Sequence, residues 1–526
     1  ELVAFWGAAL RGFSLAAFND WCMAREYRSV DRDTPFLLPP DMRDWLPSGH
    51  LALFVIDVVT RLDTAALHAG PKRGGTGRKG YDPDMLLGLW LYASARGITS
   101  SRQIERACVE DVAFRVLCAQ DAPDHTVLAR FLQRYRPDME ELFTQMLALC
   151  LRAGMGKFGQ VALDGTKIRA SAATDQTRSL KTLRKLAAAE LLKAVATDRA
   201  EDEAGVDLSD HVPTEFIGSD RADRIQAAIE SVEELIQEDV GVPLEAARAK
   251  ARAAAEVVKE VDEAQDALVA KYEAKKAAGK TPMGRRPIPG VGQKGRAARV
   301  ALAFINRQVA RLEQQQSELL AGNQVKDVRM AQRNTTDPES RVMKTRNGYI
   351  QGYNSQIVCS DDFLVMVAEA TNDPSDRSWF VPMMEKTVQT MEDLSVRTGR
   401  ADVKIGTMTS DAGYISDEAV EAEGPDRLIA PGRGRVNDTG WKGTTSNGGT
   451  SVNLMAEKLQ DPVNQALYKR RSATIETINA HIKDGRGLRQ FTVRGLAAVQ
   501  AQLHLAAMAT NLTRLFNKGI PLPVIA

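Results

Sequence analysis

Cysteine is scarce in this chain. The five residues, Cys22, Cys108, Cys118, Cys150 and Cys359, are scattered over 526 positions, odd in number and never spaced C-x-x-C. That excludes a disulfide framework and a structural zinc site, and it suits a reducing cytoplasm. The six histidines form no H-x-x-x-H pair either. Long apolar runs are missing too, so no segment is expected to span a bilayer. The opening residues, ELVAFWGAALRGFSLAAFNDWC, are apolar but lack a basic leading region and a clear cleavage site, which argues against a secretory signal. Net charge is nearly absent: 69 Lys and Arg against 68 Asp and Glu give +1, which favours no class of partner. The charges are unevenly placed all the same.

With 44% hydrophobic and 26% charged residues, the composition is that of an ordinary soluble protein. Its length leaves room for two to four domains. The first methionine, Met23, opens MAREYRSVDRDTPFLLPP, which reads as a natural beginning. Residues 1–22 are therefore expected to be an upstream segment without function. From 23 to 150 the pattern is helical. DPDMLLGLWLYASARG has a capping Asp, a Pro and a closing Gly; SSRQIERACVEDVAFRVLC follows with a capping Ser; APDHTVLARFLQRYR carries Arg130 and Arg134 on a helix capped by Asp124. This order fits a helix-turn-helix-like unit, and equally a helical bundle with a solvated basic face.

Residues 175–330 are rich in Ala, Glu, Lys, Arg and Leu and predict long amphipathic helices in a hairpin or coiled coil, broken by the basic loop GKTPMGRRPIPGVGQKG. That loop suits contact with DNA, and the segment suits a dimer surface equally. Beyond 330 the runs become β-branched. GYNSQIVCSDDFLVMVAEATN predicts two strands joined at Ser360-Asp361-Asp362, VKIGTMTSDAGY a strand ending at Asp411, and RLIAPG a short one; the chain is helical again from about 463. Strand, helical interruption, hairpin, helix, strand, helix is α/β order with a large insertion.

Three acids stand out within that order. QVALDGTKIRAS places Asp164 at the tip of an apolar strand, Asp411 follows another, and Glu476 lies on a predicted helix. Each alone is most simply a turn former or a solvated helix face. Together they can converge on hard divalent cations, which take oxygen ligands and clamp the two oxygens of a phosphoryl displacement. Around Glu476 lie Tyr468, Arg471 and Lys483, with Lys469, Arg470, Arg486, Arg489 and Arg494 as a basic field. Cations beside a metal-binding carboxylate make sense where phosphates fill the space between them.

Tyr468, Arg471, Glu476 and Lys483 form Y-x2-R-x4-E-x6-K, which resembles the Y-R-E-K signature of DDE transposases of bacterial insertion sequences. Four residues separate Arg and Glu where three are usual, which leaves Arg470 as an alternate for Arg471. DGTKIRASA and MTSDAGY resemble the blocks around the family's first and second Asp. DRDTPFLLPPDMRDWLP and the long charged insertion are similar to the eleven-eighty-two branch.

The resemblance implies an α/β ribonuclease-H-like catalytic domain (151–174 and 331–515) with a helical N-terminal DNA-binding domain (23–150), a long helical, coiled-coil-like insertion (175–330) and a tail (516–526). It implies that Asp164, Asp411 and Glu476 ligate two Mg²⁺ or Mn²⁺ ions and catalyse cleavage and strand transfer. Tyr468, Arg471 and Lys483 would grip DNA phosphates, Arg130 and Arg134 would help recognise terminal inverted repeats, and Lys344 would approach DNA from a neighbouring strand. The implied partners are double-stranded DNA, at the element's ends and the target, and a second copy in the DNA complex. The implied location is the bacterial cytoplasm, at the nucleoid, with no membrane. A ribonuclease-H-like nuclease that never joins strands, and a non-catalytic DNA-binding domesticated relative, are the competing expectations.

Overall fold

The computed structural model describes residues 46–69, 80–190, 221–280, 284–289, 292–323, 332–432 and 450–522, with isolated positions 32, 44, 192, 325, 436–437 and 440–441. Residues 1–22 and nearly all of DRDTPFLLPPDMRDWLP lie outside the described residues. The chain divides into two units, one made of residues 1–171 and 340–526, the other of residues 172–339.

The first unit begins with helices α1 (Leu51–Val59), α2 (Pro83–Ala95), α3 (Ser101–Glu110), α4 (Val112–Leu117), α5 (His125–Arg134) and α6 (Met139–Arg152). The Asp82 carboxylate accepts from the backbone N–H groups of Asp84 and Met85 and starts α2, with Pro83 in its first turn. Gly97, at φ 76°, follows its end. Asp124 caps α5 in the same way. SSRQIERACVEDVAFRVLC, which periodicity predicts as one helix, is two. Asp111 is extended (φ −105°, ψ 126°) and its carboxylate caps the N–H groups of Ala113 and Phe114, so it ends α3 and begins α4. The Ser100 side chain makes no capping bond.

Strands β1 (Gln160–Arg169), β2 (Arg341–Thr345), β3 (Gly348–Ser360), β4 (Val365–Thr371), β5 (Thr407–Ser410) and β6 (Asp426–Ile429) form a six-stranded sheet. Its order is β2-β3-β1-β5-β6, with β4 also paired to β3. β1 is antiparallel to β3 and parallel to β5, and β5 is parallel to β6. Later helices include α7 (Phe380–Thr398), α8 (Pro462–Arg471) and α9 (Leu496–Asn517).

Helix α9 packs on β4 and covers its open edge. Asn511 accepts from the Val365 N–H at 2.9 Å and donates to its carbonyl at 2.8 Å. Gln500 does the same along the strand, accepting from Ala370 N–H and donating to Ala368 O. The two amides are three helical turns apart, so they share one face and take the place of a neighbouring strand.

His504, between them, stacks on Phe143 with ring centroids 5.5 Å apart, and its Nε2 lies 2.7 Å from Gln500 Nε2. Gln500 cannot turn its oxygen to the ring, because that oxygen is held by Ala370. The imidazole must therefore accept at Nε2, which only the neutral form does. Burial pushes its pKa down to about 4; Glu140 opposes the shift and Lys386 adds to it. A base whose folded pKa lies below its unfolded value supports the fold above the unfolded value, about 6.5, and loses that support as pH falls toward 4. Unfolding free energies from urea titrations at pH 7 and pH 4 are expected to differ by roughly 3 kcal/mol more in the wild type than in His504→Gln. Equal differences would show that this histidine is not the titrating group.

The second unit is mostly helical. Arg221–Ile236 passes through a π-helical turn, Gln237–Gly241, into the long helix Val242–Ala277, which returns as Gln293–Leu320. Leu180, Leu183, Ile225, Val232, Ile236 and Leu319 form its core. Farther along the hairpin, ion pairs Arg248–Glu313 (2.8 Å) and Arg299–Asp262 (2.7 Å) tie the two helices, and Arg286–Glu273 (2.7 Å) ties the connecting loop to the first. Thr177–Ser179 pairs antiparallel with Gln332–Asn334. Among the described residues no helix is long and apolar enough to cross a membrane.

Candidate active site

Asp164 does not end its strand. The apolar run stops at Leu163, but β1 continues to Arg169, because its pairing with β3 uses backbone bonds that need no apolar side chain. What ends near Asp164 is the other neighbour: the last residue of β1 paired with parallel β5 is Ala162, opposite Thr409. Asp164 thus sits where two parallel strands part, and Asp411 follows directly where β5 stops. The crevice beyond the carboxyl ends of parallel strands is the common place for a ligand in α/β sheets.

The Asp164 side chain is 20% exposed. Asn479 Nδ2 donates to its Oδ2 at 2.9 Å, and Arg471 Nη1 stands 3.9 Å from its Oδ1. Burial pushes its pKa up to about 7; Arg471 opposes this, while Asp411, Asp376 and Glu476 add to it. The same group reaches outward. Tyr468, raised mainly by burial, also feels Arg471, Asp411 and Asp164, and Arg471 lies over its ring at 5.8 Å. Lys483, lowered by burial and by Arg489, feels Asp164 in the opposite sense. Three acids, Tyr468, Arg471 and Lys483 therefore share one electrostatic neighbourhood.

The helix that carries Arg471 and Glu476 is not regular. After α8 comes a π-helical turn, Ser472–Glu476, then Thr477–Ala480, then a second π turn, His481–Gly485. In a continuous α-helix the five-residue step would carry Glu476 roughly 140° round from Arg471. A π turn holds roughly 4.4 residues and cuts this to roughly 50°. The π turn therefore brings Arg471 and Glu476 toward one side of the helix. Arg470 takes another path and pairs with Asp361 at the β3–β4 turn.

Asp411 also forms its local turn, accepting from Gly413 N–H at 2.8 Å through Oδ1. Glu476 is exposed. Arg471 Nε and Nη1 and Asn479 Oδ1 are buried without a hydrogen-bond partner. Donors of that kind fit a phosphate oxygen, and an amide oxygen beside carboxylates fits a hard cation. No three of these carboxylates come within 4.8 Å of one another; among the described residues that spacing is met by His68, Asp82 and Asp84. Asp82 is already the cap of α2, and His68 Nε2 pairs with Asp84 at 3.1 Å.

The other candidates stand elsewhere. Arg130 and Arg134 lie on the exposed side of α5, opposite Leu128, Phe131 and Leu132, and Arg134 rests on the Tyr135 ring. Lys344 is exposed on β2, its carbonyl taking a bond from Lys167 Nζ at 3.1 Å. None of the three is among the charges that weigh most on Asp164. Asp376, between β4 and α7, is a neighbour that the sequence reading overlooks. Its signal is indirect: Asn354 and Gln356 are fully buried polar residues on one face of β3, and such groups need a partner.

Residues 40–134 match the family model described as Transposase domain, and residues 448–516 match the one described as Transposase DDE domain. The second match contains Tyr468, Arg471, Glu476 and Lys483. No curated protein and no solved structure matches the chain significantly. The two family matches support a transposase function, of DDE type at the C-terminal end.

Proposed function

We propose that this chain is a DDE transposase that cuts DNA at the ends of a mobile element and joins the freed ends to a target. The observation that carries the reading is the buried Asp164 carboxylate, set among Asp411 and Glu476 and beside an Arg471 with unpaired donors. Asp164, Asp411 and Glu476 would hold two Mg²⁺ or Mn²⁺ ions, with Asn479 Oδ1 within the same donor set. Bound there, the ions activate the attacking oxygen and stabilise the leaving one.

The rest is positioning. Arg471, whose Nε and Nη1 have no hydrogen-bond partner within the protein, would donate to phosphate oxygens, with the Tyr468 ring beside its guanidinium. Lys483 adds a cation on the same helix, along the phosphate backbone. Water breaks a phosphodiester to leave a 3′-hydroxyl and a 5′-phosphate. That hydroxyl then attacks a second phosphodiester and expels its 3′-oxygen. The run β4-β3-β1 of antiparallel strands, continued by β5 and β6 parallel to β1, suits a ribonuclease-H-like fold, with β2 added beside β3. Terminal repeats would be read by the helical N-terminal region through Arg130 and Arg134, with Lys344 a further contact. Two element ends call for two copies on the DNA.

The test is labelled DNA carrying the element's own terminal repeats, incubated with and without Mg²⁺ or Mn²⁺. Metal-dependent nicking followed by joined product is expected. Nicking without joining would reduce the protein to a nuclease, and binding without chemistry would sink the reading.

A further inference from the structure

Asp376 is built into the sheet more firmly than a turn residue requires. Its Oδ1 accepts from Asn354 Nδ2 at 2.7 Å and from Gln356 Nε2 at 2.8 Å. Gln356 is itself oriented: the Tyr414 hydroxyl donates to its Oε1, which turns the amide nitrogen toward Asp376. Asn354, Gln356 and Tyr414 are all fully buried. Three core side chains thus aim one carboxylate, although Asn354 Oδ1 itself is buried without a hydrogen-bond partner.

The target of that aim is the gap between the two strand ends. A Cβ on Gly165, the residue after Asp164, would collide with Asp376 Oδ1 and come within 2.8 Å of Gln356 Nε2. A Cβ on Gly413 would lie 3.7 Å from Asp376 Oδ2 and 3.0 Å from Asp411 Oδ1. Asp376 therefore stands between the chain that follows Asp164 and the turn that follows Asp411, where only glycines leave room. While Oδ1 takes two donors, no hydrogen bond to Oδ2 is seen among the described residues. Glu476, Asp164 and Asp411 bring three more negative groups, against Arg471 and Lys483.

We infer that Asp376 is a positioning residue of the cation site, a fourth carboxylate whose charge sets how tightly divalent ions are held by Asp164, Asp411 and Glu476. This rests on the DDE reading above. A charge beside a divalent ion acts over several ångströms in a partly buried site without touching it.

Mn²⁺ binding to the full chain, without DNA, followed by electron paramagnetic resonance, tests the inference. Asp376→Asn keeps the size and the acceptor for Asn354 and Gln356 but removes the charge. Its Mn²⁺ affinity is expected to fall about tenfold, with melting in EDTA unchanged. Wild-type affinity in Asp376→Asn would overturn the inference and leave Asp376 a structural brace. If Asp376→Asn melts early, Asp376→Ser, smaller and uncharged, is read in its place by the same criterion. Asp164→Asn is the control: if it binds Mn²⁺ as the wild type does, the DDE reading itself fails and this inference with it.

Discussion

Asp164→Asn is expected to make the metal-free protein more stable and the enzyme inactive. The carboxylate lies buried with its pKa pushed up from 3.8 to about 7, burial being the first cause. A carboxylate raised in this way supports the fold in full below its unfolded value and loses that support as pH climbs from about 4 through about 7. At pH 8 the wild type holds a buried charge that asparagine lacks. In EDTA the variant should gain roughly 3–4 kcal/mol at pH 8 and little at pH 4. Asparagine keeps the shape but is a poor ligand for a hard cation, so cleavage should fall by on the order of a thousandfold or more. Added Mn²⁺ should raise the melting temperature of the wild type only. Melting curves at the two pH values, with and without Mn²⁺, read all of this. A variant less stable than wild type at pH 8 would assign Asp164 to the architecture and not to a cation site.

Gly165→Ala should be nearly as damaging for one methyl group. Its φ is not the obstacle; the space is. The new Cβ meets Asp376 Oδ1 and Gln356 Nε2 on a strand that its pairing with β3 holds in place there. Overpacking of this kind costs about 1–3 kcal/mol. If Asp376 yields, it leaves its two amide donors, and Asp164 shifts with the backbone. A displacement of about 1 Å at a catalytic group costs on the order of a hundredfold in rate. Denaturant titration and single-turnover cleavage measure the two parts. Unchanged rate and unchanged stability together would show that the cleft is looser than these contacts imply.

Some of this architecture is readable from residues alone. Asp82 and Asp124 announce their helices, since a carboxylate before an apolar run has capping work to do. The β3–β4 hairpin is visible because its turn, Ser360-Asp361-Asp362, interrupts two β-branched runs. Asp111 is harder: in the sequence it is one acid in a helical stretch, and only its extended backbone makes it a divider. The end of β1 is misread because hydrophobicity reports which side chains are covered and not which amides are paired. The π turn is hidden for a similar reason, since residue types do not reveal a helix that takes five residues where four would serve. Asp376 is invisible from its own surroundings, NDPSDRS, which read as a plain turn. Its role is written in its partners, Asn354 and Gln356, 22 and 20 residues away.

The strand order has a consequence for how the protein comes to exist in a cell. β1 sits between β3 and β5, whose residues are made long after it, and the helix bearing Glu476 and Lys483 is made later still. At about 5–20 residues per second, a ribosome needs roughly 15–60 s to travel from Asp164 to Glu476. Throughout that interval the nascent chain carries its first acid with no cleft around it. Under the proposed reading, a chain cut short before Glu476 would lack its DNA-cutting centre. On that reading competence waits for the helix that bears Glu476 and then arrives nearly all at once.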